Sequence, residues 1–303
     1  MNVRVLPVAT EVSPVPRVDV RFPSGELTCA AWLYRVPEPA PCVVMAHGFA
    51  AIKEGGLAAF AERFQTAGYN ALVFDYRHFG ASDGEPRQLV HVRRQLADWT
   101  AAVDYASALD GATKIAVWGS SFAGGHVLEI AARDTRVAAA IAQVPHTSGI
   151  ASCWAEGVGA IMRLGVAATR DLAAAVRRAD PYTVKTVGPP GALAAMTTPD
   201  AEPGYRAMFP PELSYRDDVA ARIFLTLPLY SPGRRASRIR CPLLVQVAER
   251  DAVTPPAPAI RAARRAPQGE LIVYPGAGHF DVYGGETLER VVADQITFLE
   301  RSL

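Results

Sequence analysis

The stretch Trp118-Gly119-Ser120-Ser121-Phe122-Ala123-Gly124-Gly125 decides how this 303-residue chain is read. It follows an apolar run over residues 115–118 that reads as a strand, and it opens a helical pattern over residues 121–132. A serine at the apex of a sharp strand-to-helix turn takes strained backbone angles. Its neighbours two before and two after must be small so that strand and helix can approach. With Ser121 at the apex these neighbours are Gly119 and Ala123; with Ser120 they are Trp118 and Phe122, which are too large. The frame therefore selects Ser121 as candidate nucleophile. By itself the stretch also fits a glycine-rich helix start or a phosphate cradle.

Outward from this turn, short apolar runs alternate with helical periods. Residues 18–22 and 27–36 read as two antiparallel strands joined at Ser24-Gly25. Strands follow at 42–46, 71–74 and 137–144, with helices at about 57–67 and within 89–109. Runs of Val, Ile and Ala without polar alternation are what strands buried on both faces look like. The alternation of strand and helix predicts an α/β fold: a mostly parallel, eight-stranded sheet with helices on both faces. The rhythm breaks between Pro145 and Arg240, where no clear strand is read, and nine of the 24 prolines fall between Pro181 and Pro232. Helical pieces are expected near 157–166 and 172–179. Strands at 243–247 and 271–274 and helices at 257–266 and 287–301 then resume the pattern. The expected organisation is a core over 1–144 and 236–303 interrupted by a mainly helical cap over 145–235.

A serine hydroxyl needs a base, and the base needs a carboxylate to fix its tautomer. Among the six histidines the best placed is His279, in Pro275-Gly276-Ala277-Gly278-His279-Phe280 after the last strand. Asp251 lies just past the strand at 243–247. The order Ser121, Asp251, His279, each beyond a different strand, is the order this kind of sheet requires. Glu249 and Asp281 are the competing carboxylates. Asp75, which also ends a strand, is read as a structural anchor for the loop after it. For the oxyanion, the backbone amide of Phe122 is one natural donor and that of Phe49, in Ala46-His47-Gly48-Phe49, the second. His47 is read as a prop for that loop. His78, His91 and His126 show no metal-ligand spacing, and no metal is expected.

These residues resemble the α/β-hydrolase superfamily. His47-Gly48-Phe49, Gly119-x-Ser121-x-Ala123, Asp251 and Gly278-His279 stand in that family's order, with Ala123 replacing a glycine. The loop Asp75-Tyr76-Arg77-His78-Phe79-Gly80-Ala81-Ser82-Asp83-Gly84 also resembles it. Within the family the chain resembles bacterial esterase-like members related to dienelactone and prolyl-peptidase-like hydrolases, some relatives of which handle thioesters or transfer polyketide acyl groups. The resemblance implies a serine hydrolase acting on a carboxylic ester or thioester through an acyl-enzyme, without a cofactor. The alternatives are an acyltransferase using the same three residues, a peptidase, or a non-catalytic binding protein. A serine nucleophile speaks against dehalogenase and epoxide-hydrolase chemistry.

Substrate choice is expected to come from the cap, whose large apolar side chains include Trp154, Met162, Met196, Tyr205, Met208, Phe209, Tyr215 and Phe224. Of these Trp154, Met162, Met208 and Phe209, together with His146, are the candidate substrate contacts, implying an apolar or aromatic acyl group. Thirty-one basic residues against 30 acidic ones leave a charge of +1, which gives no electrostatic support for a nucleic-acid partner. No apolar run approaches the roughly 20 residues of a membrane span. The start of the chain lacks a signal-peptide pattern and contains Pro7, Pro14 and Pro16. The four cysteines are scattered. A cytoplasmic, soluble enzyme is expected, with the C-terminal helix available for a homodimer.

Overall fold

The computed structural model describes residues 17–303; the segment bearing Pro7, Pro14 and Pro16 lies outside the described residues. β1 (Val18–Ser24), β2 (Leu27–Tyr34), β3 (Ala40–Ala46), β4 (Asn70–Phe74), β5 (Ala112–Ser120), β6 (Val137–Gln143), β10 (Leu243–Ala248) and β11 (Gly269–Tyr274) form one sheet in the order β1-β2-β4-β3-β5-β6-β10-β11. β2 runs antiparallel to both its neighbours, and the other pairs are parallel. The expected eight-stranded, mostly parallel sheet is present. Its strands bury side chains on both faces: in β3, Cys42, Val44 and Ala46 join one apolar layer, and Val43 and Met45 the other. α2 (Val92–Ser107), α3 (Phe122–Ala131) and α7 (Pro256–Arg265) cover the first face, and α1 (Leu57–Thr66) and α8 (Gly285–Ser302) the second. The apolar side of α8 is thus taken up by the core.

Strand order reverses at β3, so the loops after β3 and β5 diverge and leave a crevice at the carboxyl edge of the sheet. Each candidate residue leaves this edge: Phe49 after β3, Ser121 after β5, Asp251 after β10 and His279 after β11.

Between β6 and β10 the structure corrects the reading in two ways. The two expected helical pieces are one helix, α5 (Val158–Val176), preceded by α4 (Gly149–Ala155). Asp171, fully buried, accepts the backbone N–H groups of Tyr182 and Arg222 and pairs with the Arg222 guanidinium. This polar anchor, on the inner face of α5, breaks the apolar period and made one helix look like two. The segment also contains a three-stranded sheet of β7 (Thr183–Val187), β8 (Ala194–Met196) and β9 (Asp218–Ala220), in the order β8-β7-β9, beside α6 (Ala201–Ala207). Strands of three to five residues among prolines are too short to show a period. Among the described residues no single helix is long and apolar enough to cross a membrane; α4 and α5 pass that test only when joined across a 113° bend.

Two strands that read as apolar carry glutamines, and these meet in a buried network under the sheet. Gln295 of α8 donates to Gln143 Oε1 at 2.8 Å and to Gln246 Oε1 at 2.6 Å, and accepts from Trp118 Nε1 at 3.1 Å. Gln143 donates in turn to Ser120 Oγ at 3.0 Å. All three glutamines are fully buried, so each partner lost leaves a polar group without water. Gln295→Leu is expected to lower unfolding free energy by roughly 3–5 kcal/mol, because two acceptors and one donor lose their partners at once. Denaturant unfolding measures this, and a loss under about 1 kcal/mol would show that the network does not hold α8 to the sheet.

Candidate active site

Ser121 occupies the turn between β5 and α3 with φ 57° and ψ −118°, an unfavourable backbone conformation for a residue with a side chain. A Cβ on Gly119 would lie 2.5 Å from the backbone of Ala123, and one on Gly125 would collide with the carbonyl of His146. The small residues are therefore where strand and helix cross most closely. Ser121 is anchored by its N–H to Gln143 O and by its C=O to His146 N. Ser120, the rejected alternative, points into the core, where Gln143 and the Tyr283 hydroxyl both donate to it.

The structure brings Ser121, His279 and Asp251 together. His279 Nε2 lies 3.1 Å from Ser121 Oγ, and His279 Nδ1 lies 2.7 Å from Asp251 Oδ2. His279 and Asp251 are 2% and 6% exposed. Asp251 Oδ1 accepts the N–H groups of Val253 and Thr254, and its Oδ2 also accepts the Thr254 hydroxyl at 2.8 Å. Sequence reasoning missed Thr254. Its signal is the Asp-x-x-Thr spacing before Pro255-Pro256, where the carboxylate closes the turn that leads into α7. The competing acids are engaged elsewhere: Glu249 accepts the N–H of Gly276, and Asp281 that of Gly278, so both hold the histidine loop.

Across the crevice, a Cβ on Gly48 would sit 3.1 Å from Ser121 Cβ, which measures how closely the loop after β3 approaches the serine. The amides of Phe49 and of Phe122, the first residue of α3, make no hydrogen bond among the described residues. His47, fully buried, donates from Nδ1 to Gly48 O at 3.0 Å, and burial pushes its pKa down to about 4. Asp75 accepts from Lys53 N and Lys53 Nζ and from Ala81 N, so it fixes two loops of this edge. No cluster of three or more His, Cys, Asp or Glu able to hold a metal occurs among the described residues.

A mainly apolar cleft opens over Ser121. Phe49, Phe122 and Val253 line it from the sheet edge; Ile161, Leu164, Met196, Phe224 and Leu227 line it from the segment between β6 and β10. Of the five candidate substrate contacts only His146 is on this wall. The other four lie elsewhere. Trp154 and Met162 are 63% and 65% exposed on the outer side of α4 and α5. Phe209 stacks on Tyr215 and packs on Gly55, and Met208 lies in the same side cluster. Met196 and Phe224, read only as part of the apolar supply, do line the cleft. Three polar residues on or beside α4 also face it: Ser152, Cys153 and Glu156. His146 Nδ1 lies 3.1 Å from Ser152 Oγ, and burial lowers its pKa to about 4.

A model of the alpha/beta hydrolase family matches residues 43–294, and the chain belongs to that family of enzymes. It is similar to the quorum-quenching protein AidA of Acinetobacter baumannii (strain MDR-ZJ06), 44% identical over 292 residues covering 95% of this chain and 96% of that protein. It is also similar to the polyketide transferase grgF of a Penicillium species, 40% identical over 136 residues covering 44% and 46% of the two chains. The crystal structure of the alpha/beta hydrolase GrgF from Penicillium sp. sh18 superposes with a TM-score of 0.81 at 26% identity, covering 95% of this chain and 99% of that one.

Three histidines around the site are held neutral by burial: His47 and His146 at about 4, and His126, behind Phe122, at about 3. His126 donates from Nε2 to Gln95 Oε1, and in the neutral ring that burial favours its Nδ1 accepts the Tyr230 hydroxyl. The unfolded chain binds protons at these rings below about pH 6.5 and the folded chain does not, so stability rises with pH across that window. Unfolding free energy is expected to be full above pH 6.5 and to fall as the pH drops towards 4. In His126→Gln the slope should be shallower by about one proton, ~1.4 kcal/mol per pH unit. An unchanged slope in denaturant titrations at several pH values would contradict the neutral His126.

Proposed function

We propose that the protein is a serine hydrolase that cleaves a small carboxylic ester or thioester with an apolar acyl group through an acyl-enzyme on Ser121. The observation that carries this reading is the unbroken hydrogen-bonded series Ser121–His279–Asp251 beneath an apolar cleft. In the first half-reaction His279 Nε2 takes the Ser121 proton as Oγ attacks the acyl carbon. The amides of Phe49 and Phe122 are proposed to receive the oxyanion. Collapse expels the alcohol or thiol, which takes the proton from His279. Water then attacks the acyl-enzyme with His279 as base, releasing the acid and restoring Ser121. Asp251, its second oxygen held by two backbone amides, keeps the imidazole in the tautomer with the proton on Nδ1.

The segment over 145–235 is proposed to act as a cap that selects the acyl group. The same intermediate can pass its acyl group to an alcohol or amine, and the relative named a polyketide transferase gives that reading specific support. The relative named for quorum quenching supports destruction of a small-molecule signal instead. Hydrolysis is the reading favoured here because the chain belongs to a family named for it.

The test is turnover of a panel of medium-chain esters and thioesters, with product analysis in water and with added alcohols or amines. Hydrolysis that falls at least a thousandfold in Ser121→Ala is expected. Acyl products on the added nucleophile in preference to free acid would establish the transferase reading. No Ser121-dependent turnover with any of them would overturn both.

A further inference from the structure

The cleft over Ser121 is walled mainly by aliphatic and aromatic side chains; Thr254 and His146 interrupt them at the sheet edge, and three polar residues do so on or beside α4. There Glu156, at the end of α4, lines the same space as Ser121. Its Oε2 is fully used, accepting from Thr197 N at 2.9 Å and from Thr197 Oγ1 at 2.7 Å. Its Oε1 receives no hydrogen bond from the described residues. The bonds from Thr197 tie the end of α4 to the segment after β8 and account for Oε2, but not for Oε1. A carboxylate at a helix C-terminus meets the unfavourable end of the helix dipole, and apolar walls deprive it of solvation. Burial accordingly raises its pKa.

A second polar side chain stands beside it in this wall. His146 is 4% exposed, and its Nε2 has no partner, while Nδ1 lies beside Ser152. Ser152 and Glu156 are one helical turn apart, so they stand side by side along the wall. A secondary amide or a hydroxyl carries an N–H or O–H donor and can answer Glu156 Oε1 without bringing a charge into the cleft. An ammonium ion would meet one carboxylate already shared with Thr197 and would lose its own hydration in an apolar cleft.

Resting on the serine-hydrolase reading, we propose that Glu156 determines specificity: its free Oε1 accepts a hydrogen bond from a neutral N–H or O–H group on the non-reacting part of the substrate. The substrate class is therefore an ester or thioester with an apolar body interrupted by an amide or hydroxyl group. A site built around such an acceptor rejects analogues that lack the donor, because the buried oxygen is then left without a partner in the complex.

The experiment uses matched 4-nitrophenyl esters whose acyl chain carries a secondary amide or its N-methyl analogue, a hydroxyl or its methyl ether, or a primary amine. The wild type should favour amide over N-methyl amide, and hydroxyl over ether, by about tenfold or more in kcat/KM. In Glu156→Leu both ratios should fall to within about twofold of one. Glu156→Gln, which can keep one bond to Thr197 and still offers a neutral acceptor, should fall between the two and decides the matter if the leucine variant does not fold. Ratios near one in the wild type, ratios unchanged in the variants, or a preference for the amine would each overturn the inference. Labelling of Ser121 by a fluorophosphonate in the same samples separates the two levels of failure. Normal labelling without discrimination removes the role of Glu156 alone. Neither labelling nor turnover removes the hydrolase reading and this inference with it.

Discussion

The geometry of the site depends on one strained turn. Ser121 is held at φ 57° because β5 delivers it to the sheet edge and α3 must start at once, crossing β5 so closely that Gly119 admits no side chain. Strain of this kind persists only where surrounding structure over-determines it. Here the Ser121 backbone is bonded on both sides, to Gln143 and His146, and the next helix begins with an unoccupied amide. The turn thus sets where the hydroxyl points, where a donor stands, and how close the Gly48 loop can come.

The other members of the site are fixed by hydrogen bonds that do not involve the Ser121 side chain. The buried glutamines tie β5, β6, β10 and α8 together through Trp118, Gln143, Gln246 and Gln295, which relates the strand that presents the serine to the strand that presents the aspartate. Glu249 and Asp281, which sequence reasoning left as rivals of Asp251, instead hold the loop that carries His279. Carboxylates near the three-residue constellation thus serve by fixing backbone.

The core and the three-residue constellation were legible because their signals are local. A small residue two before and two after a serine, an acid past one strand and a glycine-flanked histidine past the last are each written within a few residues. The cleft wall was not legible for the opposite reason. Whether Trp154 or Ile161 faces inward depends on which side of α4 and α5 meets the sheet edge, and both residues are apolar in sequence. Trp154, Met162, Met208 and Phe209 look like substrate contacts by size alone, yet two lie on the surface and two in a side cluster. The short strands β7, β8 and β9 stayed hidden because three to five residues cannot establish a period, and Glu156 because an acid in a helix normally means a solvated face.

The account stands on Ser121 being an activated nucleophile, and intact-mass analysis after incubation with a fluorophosphonate tests that most directly. One adduct on the wild type, absent from Ser121→Ala and strongly slowed in His279→Ala, is the predicted result. No adduct on the folded protein, or an adduct that survives the Ser121→Ala substitution, would contradict it.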